Sequence, residues 1–205
     1  MERKKKEPRQ TGLLFVLSGP SGAGKDAVLH RMKELSFPFY RVVTVTTRPQ
    51  RPGEKDGVDY RFASEPEFQE MVQRGELLER AEVYGRWYGT PKQQVKEALD
   101  EGQDVILRVD VQGAATIRSV MPEVVLIFLT SPSTEYEERL KQRQTESDDE
   151  RRLRTGRIDG EMKSLPLFDY MVVNHQGDLD SAVSQIMAIV TAEKCRVNRC
   201  LVKLE

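Results

Sequence analysis

The chain has 205 residues, and its 32 basic and 33 acidic side chains nearly cancel to a formal net charge of −1. That balance argues against a general nucleic-acid binder, which would be strongly basic, and no apolar run is long enough to span a membrane. Cys195 and Cys200 lack the partners of a zinc site or a disulfide framework, so we expect free thiols in a reducing cytoplasm.

The predicted elements begin after a basic stretch. Residues 1–12 contain no apolar run that suits a signal peptide, so we expect a disordered tail. A buried strand over residues 13–18 leads into a helix over residues 25–35. Three further pairs follow, with strands at 104–110, 124–130 and 168–174 and helices at 112–120, 133–144 and 179–194. This alternation is typical of a parallel sheet flanked by helices.

Residues 41–90 interrupt the alternation. Shorter and more polar strands are predicted there, at 41–48, 60–63 and 77–84. Capping-box patterns predict that helices begin at Ser64 and at Thr90. The segment therefore indicates a small, mixed or antiparallel subdomain inserted into the parallel core.

The length suits one α/β domain rather than two, and we place it at residues 13–195. The very charged residues 144–162 are predicted to be mobile, and residues 196–205 form a C-terminal tail. Monomer and homodimer both remain open.

A phosphate-binding motif follows the first strand. Gly-x₄-Gly-Lys is a loop whose backbone N–H groups surround phosphate oxygens and whose lysine reaches the terminal phosphates. Here it lies between a strand and a helix, which is the context that the motif requires. Asp26 stands where a serine or threonine usually holds Mg²⁺. The predicted ATP-binding residues are Gly19, Pro20, Ser21, Gly22, Ala23, Gly24, Lys25 and Asp26.

Two groups of arginines offer further phosphate contacts. Arg48 and Arg51 lie three apart in a proline-stiffened loop and can hold a phosphate with paired donors, although the same loop also suits a charged surface. An enzyme that moves a phosphoryl group between two nucleotides needs such a second cationic site for the acceptor. Arg139 and Arg143 share a helix face, and Arg152 and Arg157 follow; they suit a triphosphate clamp or a solvated face.

Five motifs in this order, GPSGAGK, TTRPQRPGEKDGVDYRF, LLERAEV, WYGTP and VDVQG, resemble guanylate kinases, which transfer the γ-phosphoryl group of ATP to GMP. The resemblance runs from about Leu13 to Ile189. It implies a P-loop nucleoside monophosphate kinase fold in which residues 41–90 bind GMP and residues 144–162 form a mobile lid. It also implies ATP and GMP as small-molecule partners and Mg²⁺ as the cofactor.

The resemblance implies roles for individual residues. Catalytic roles fall on Lys25, Arg48, Arg139, Arg143 and Arg152. The GMP phosphate would be held by Thr44, Arg48, Arg51, Tyr60 and Tyr88, with Glu54 supporting the arginines. Guanine would be read by Glu79, Thr90 and Asp110, and Asn174 matches a position near adenine. A carboxylate suits guanine because guanine presents N–H donors where adenine presents an acceptor.

Two residues depart from the family pattern. Besides Asp26, Arg108 stands where the family usually has an acidic residue. We expect Asp26 to supply a carboxylate to Mg²⁺ in compensation, directly or through water. The alternative is an Asp26–Arg108 ion pair that replaces the metal site.

Two other functions remain open. A kinase of the same fold could use another acceptor, such as ribose 1,5-bisphosphate, whose phosphokinase also carries Gly-Lys-Asp. A non-catalytic guanylate kinase-like module would bind phosphopeptides instead. The retained loop glycines and lysine favour an enzyme that phosphorylates GMP and dGMP.

Overall fold

The computed structural model describes residues 12–83, 85–132, 135, 160–198, 202 and 204. The predicted tail up to residue 11, the predicted helix at 133–144 apart from residue 135, and the predicted lid up to residue 159 lie outside the described residues.

Nine strands and five α-helices are described. In chain order they are β1 (Leu14–Ser18), α1 (Lys25–Glu34), β2 (Tyr40–Arg41), β3 (Val45–Thr46), β4 (Arg61–Phe62), α2 (Glu65–Gln73), β5 (Leu77–Val83), β6 (Arg86–Pro91), α3 (Lys92–Asp100), β7 (Val105–Arg108), α4 (Val111–Val120), β8 (Val125–Thr130), β9 (Tyr170–Val173) and α5 (Leu179–Lys194). The predicted parallel strands and the helices at 25–35, 112–120 and 179–194 are confirmed to within a few residues.

The core sheet has the strand order β2-β7-β1-β8-β9, and all of its pairs are parallel. Successive side chains of a strand point to opposite faces. Phe15 and Leu17 of β1 therefore pack with α1 and α5, whereas Leu14 and Val16 pack with α3 and α4. Both faces are covered, which explains the continuous apolar runs of these strands.

A second sheet has the order β4-β3-β6-β5 and mixes parallel with antiparallel pairs, as predicted for the insertion. Its own small core contains Val45, Phe68 and Met71, and the Phe68 ring stacks on Trp87 with 6.0 Å between the ring centroids. The predicted strand at 41–48 is divided: Tyr40–Arg41 pairs with β7 of the core sheet, and the second sheet begins at Val45.

The two predicted capping boxes have different outcomes. At α2 the box is confirmed, because Ser64 N–H donates to Glu67 Oε2 at 2.7 Å and Ser64 Oγ accepts from Glu67 N–H. The box at Thr90 is wrong. Thr90 lies in β6, a strand that the sequence did not predict, and α3 begins after Pro91 without a side-chain cap.

Within the described residues, no helix is both long and apolar enough to cross a bilayer.

Candidate active site

A cleft of about 570 Å³ lies at the carboxyl edge of the core sheet and faces the second sheet. In parallel α/β sheets, ligands bind outside the carboxyl ends of the strands. Most predicted site residues line it: Gly19, Ser21, Gly22, Gly24, Lys25, Asp26, Thr44, Arg48, Arg51, Glu54, Tyr60, Glu79, Tyr88 and Asp110. Three other arginines predicted for the site, Arg139, Arg143 and Arg152, lie outside the described residues.

The phosphate loop (residues 19–25) connects β1 to α1. Gly19, Gly22 and Gly24 have φ angles of 134°, 92° and 94°, a region that residues with a side chain rarely adopt. A Cβ atom on Gly19 would lie 2.0 Å from the carbonyl oxygen of Leu129, so only glycine lets the loop approach β8 this closely. The loop therefore turns tightly and presents the N-terminus of α1 to the cleft, a favourable place for an anion.

Lys25 folds back onto this loop. Its Nζ donates to the carbonyl oxygens of Gly19 and Pro20, at 2.6 and 3.1 Å. Burial lowers the pKa of Lys25 to about 8, although the nearby Glu161 carboxylate opposes that change. Glu161 Oε2 also accepts a 3.3 Å hydrogen bond from the backbone N–H of Ser21. A carboxylate thus lies at the loop, and no local pattern in the sequence could reveal a contact across 140 residues.

Asn174 supports the loop from behind. Its side chain is 4% exposed, and Nδ2 donates to the carbonyl oxygen of Ala23 at 2.8 Å. Ala23 is itself fully buried, and its N–H donates to the Pro20 carbonyl. These predicted ATP-binding residues therefore shape the loop, while Gly22, Gly24 and Lys25 line the cleft.

The arginine loop (residues 46–60) lies across the cleft. Arg48 Nη2 donates to both oxygens of Glu54, at 2.8 and 3.0 Å, and Glu54 Oε2 accepts from the backbone N–H of Arg51 at 2.8 Å. The Arg48 guanidinium also lies 5.2 Å from the centre of the Tyr60 ring, next to Tyr88. Burial lowers the pKa of Arg48, but Glu54 and Tyr88 outweigh it and raise that pKa overall. Glu54 therefore holds the loop in place.

Two carboxylates, Glu79 and Asp110, lie close together in the cleft. Glu79 on β5 is 5% exposed, and its Oε1 accepts from the Thr90 hydroxyl at 2.6 Å. Asp110 caps α4, since its Oδ1 accepts from Gly113 N–H at 2.8 Å. A Cβ atom on Gly113 would lie 2.7 Å from Glu79 Oε2, so this glycine lets α4 approach the buried carboxylate.

These carboxylates lose much of their contact with water. Burial raises the pKa of Glu79 to about 7, and the Asp110 charge adds to the effect. Burial also raises the pKa of Asp110, although the Gly113 N–H and Lys25 oppose it. A pair of acceptors of which Glu79 is buried and Asp110 is partly buried is suited to a ligand that brings N–H donors.

Asp26 forms ion pairs in the structure. Its Oδ2 accepts from Arg108 Nη1 at 2.9 Å, and its Oδ1 lies 3.5 Å from Arg41 Nη2. Arg41 was not predicted as a site residue, and neither was Glu161, yet both line the cleft. Arg41 lies on β2, which the sequence assigned to the inserted subdomain, so its place beside α1 depends on the pairing with β7.

Comparisons with known proteins agree with this geometry. Residues 11–193 match the guanylate kinase family model. The chain is 45% identical over 199 residues to guanylate kinase 2, chloroplastic/mitochondrial, of Oryza sativa subsp. japonica, covering 96% of this chain and 70% of that protein. It is 43% identical over 192 residues to a guanylate kinase of Caldanaerobacter subterraneus subsp. tengcongensis, a match that covers 93% of this chain and 92% of that protein. The crystal structure of guanylate kinase from Anaplasma phagocytophilum superposes with a TM-score of 0.73 at 32% sequence identity. The match covers 93% of this chain and 90% of that one. The chain belongs to the guanylate kinase family.

Proposed function

We propose that this protein transfers the γ-phosphoryl group of ATP to GMP and dGMP, and that the cleft holds both nucleotides. One observation carries the proposal: the phosphate loop, the arginine loop and the Glu79–Asp110 pair all face the same cavity. Such an arrangement brings a donor and an acceptor together with their charges neutralised, which is the main requirement of phosphoryl transfer.

ATP would bind at the phosphate loop, with its β- and γ-phosphates on the loop N–H groups and on Lys25. Its oxygens would compete with Glu161 for the Ser21 N–H and with the loop carbonyls for Lys25 Nζ. Asn174 would serve ATP through the loop that it supports rather than by direct contact, because its side chain is buried. The triphosphate would also be clamped by Arg139, Arg143 and Arg152.

GMP would bind between the arginine loop and the carboxylate pair. Arg48 and Arg51, with Thr44, Tyr60 and Tyr88 around them, would hold its phosphate. Glu79 and Asp110 would accept the N–H donors of guanine, with Thr90 aligning the Glu79 carboxylate. Adenine presents an acceptor where guanine presents N–H donors, so these carboxylates would lose the hydrogen bonds to the base, a mismatch that sites of this kind reject strongly.

Mg²⁺ is expected with ATP, and Asp26 would be its protein ligand. Mg²⁺ is commonly held by one or two carboxylates together with substrate phosphates and water. Within the described part of the chain, no three His, Cys, Asp or Glu residues form a cation cage, but Asp26 is 54% exposed beside Lys25. Its two oxygens also lie against Arg108 and Arg41, so the ion would share this carboxylate with the arginines, by direct contact or through water. The ion would neutralise charge on the phosphates.

The free, exposed thiol of Cys195 is compatible with a reducing compartment, and we propose the cytoplasm.

An assay of ADP release tests the proposal with GMP, dGMP, AMP, CMP, UMP and ribose 1,5-bisphosphate as acceptors. We expect GMP and dGMP to be used, and AMP to have a kcat/KM at least about a hundredfold lower, a difference of about 2.7 kcal/mol. Equal use of AMP would contradict guanine recognition by Glu79 and Asp110. A preference for ribose 1,5-bisphosphate would show that this compound, and not GMP, is the acceptor. The absence of turnover with every acceptor would indicate a binding module.

A further inference from the structure

Arg108 lies where the two halves of the cleft meet. It ends β7, and its backbone pairs with Leu17 two residues before the phosphate loop begins. Asp110, two residues later, lines the same cleft close to Glu79. The sequence therefore places a guanidinium at the sheet edge between the loop proposed for ATP and the residues proposed for GMP.

Its side chain contacts both halves. Nη1 donates to Asp26 Oδ2 at 2.9 Å, and Asp26 belongs to the first turn of the helix that follows the phosphate loop. On the other side, the guanidinium carbon lies 4.7 Å from the centre of the Tyr60 ring at the end of the arginine loop. Arg108 and Lys25 line the same cleft.

The contribution of Arg108 to the stability of the fold is a weak explanation for an arginine at this position. Arg108 is 14% exposed, while its partner Asp26 is 54% exposed. Ion pairs with an exposed partner contribute little, and removing a guanidinium from water opposes the gain. Asp26 takes one of its Nη1 donors, and a guanidinium has five N–H donors arranged in a plane that matches phosphate oxygens.

We propose that Arg108 is a further catalytic residue of this kinase, which contacts the phosphoryl group in transit between ATP and GMP while Asp26 and Tyr60 hold its guanidinium in place. This inference rests on the proposed function. In the transfer, an oxygen of the GMP phosphate bonds to the γ-phosphorus, and the bond from that phosphorus to the ADP oxygen breaks, with its electron pair leaving on ADP. Arg108 exchanges no proton, because a guanidinium keeps its charge; it neutralises charge on the transferring oxygens.

The test compares the wild type with Arg108→Gln, Arg108→Lys and a control variant, Arg31→Gln. Arg31 also joins an aspartate across two elements, since its Nε donates to Asp180 at 2.7 Å, but it lies outside the cleft. Steady-state kinetics give kcat and both KM values. Calorimetry gives the affinity for ADP, for GMP, and for a dinucleotide in which adenosine and guanosine are joined by five phosphates.

We expect Arg108→Gln to lower kcat by about a hundredfold or more, the effect of removing one donor from a developing charge, with each KM within about fivefold. Arg108→Lys should recover only part of the lost kcat. The lysine restores the positive charge, but its ammonium group cannot make the paired contacts of a guanidinium. Affinity for the dinucleotide should fall more than affinity for ADP or GMP. Arg31→Gln should keep kcat within about twofold.

Two results would overturn the inference. One is a kcat in Arg108→Gln within about threefold of the wild type, with a melting temperature lowered as in Arg31→Gln. The other is an unchanged dinucleotide affinity in Arg108→Gln. Failure of the proposed function looks different: the wild type would then leave GMP unphosphorylated, while a selective loss of dinucleotide affinity in Arg108→Gln would still support the contact.

Discussion

Glu79 should make this protein less stable as the pH rises toward 8. Its pKa is about 7 in the folded chain, mainly because of burial, against an ordinary value of 4.5. Between these values the folded chain holds a proton that the unfolded chain has released, so stability falls as pH rises. The loss of stability accumulates between pH 4.5 and pH 7 and is complete above pH 7. At about 1.36 kcal/mol for each pKa unit, it amounts to about 3 kcal/mol.

The substitution Glu79→Gln removes this charge and keeps an oxygen that can accept from the Thr90 hydroxyl. We expect the variant to be more stable than the wild type by up to about 3 kcal/mol at pH 8, with the advantage disappearing toward pH 4.5. Urea unfolding at pH 5, 6, 7 and 8 and constant ionic strength measures the difference. Glu82→Gln is the matched control, because Glu82 is an exposed glutamate on the same strand.

Wild-type and Glu79→Gln stabilities that stay parallel from pH 5 to pH 8 would refute the reasoning, since burial would then place no penalty on the charge. The same variant should lower kcat/KM for GMP by about a hundredfold, because an amide replaces the carboxylate that accepts from guanine. If Glu79→Gln were more stable but used GMP as well as the wild type does, the Glu79 charge would be buried without taking part in recognition of the base. A gain in stability with a loss of activity is the trade-off expected of a group kept for function.

Three further predictions concern single side chains. Arg48→Ala should lower kcat/KM for GMP by about a hundredfold and leave ATP affinity within a few-fold by calorimetry, because Arg48 lies on the acceptor side; an equal loss of ATP binding would contradict this. Asp26→Asn should lower kcat and raise the Mg²⁺ concentration for half-activity if its carboxylate serves the ion. An unchanged Mg²⁺ dependence would leave Asp26 as an ion-pair partner of Arg108 and Arg41. Ser64→Ala should lower the free energy of unfolding by about 1 kcal/mol through loss of the α2 cap, with kcat unchanged; a stability equal to the wild type would show that the cap contributes nothing.

The sequence by itself determined the features that depend on neighbouring residues. The phosphate loop could be recognised because its glycines and lysine follow a buried strand and open a helix within a few residues. The cap at Ser64 was predictable because it depends on residues three positions apart. The apolar strands were predictable because each is a short continuous run of apolar residues. The resemblance of ordered motifs to guanylate kinases then indicated which distant segments serve one site.

Only the tertiary structure decided how the remaining polar groups are paired. Thr90 has the local pattern of a helix cap, yet its hydroxyl goes to Glu79, because the pairing of β5 with β6 brings it to a buried carboxylate that needs a donor. Arg108 reaches Asp26 across 82 residues, and Asn174 reaches Ala23 across 151. Such contacts follow from sheet order and strand register, which depend on how the whole core packs, so no short stretch of sequence encodes them.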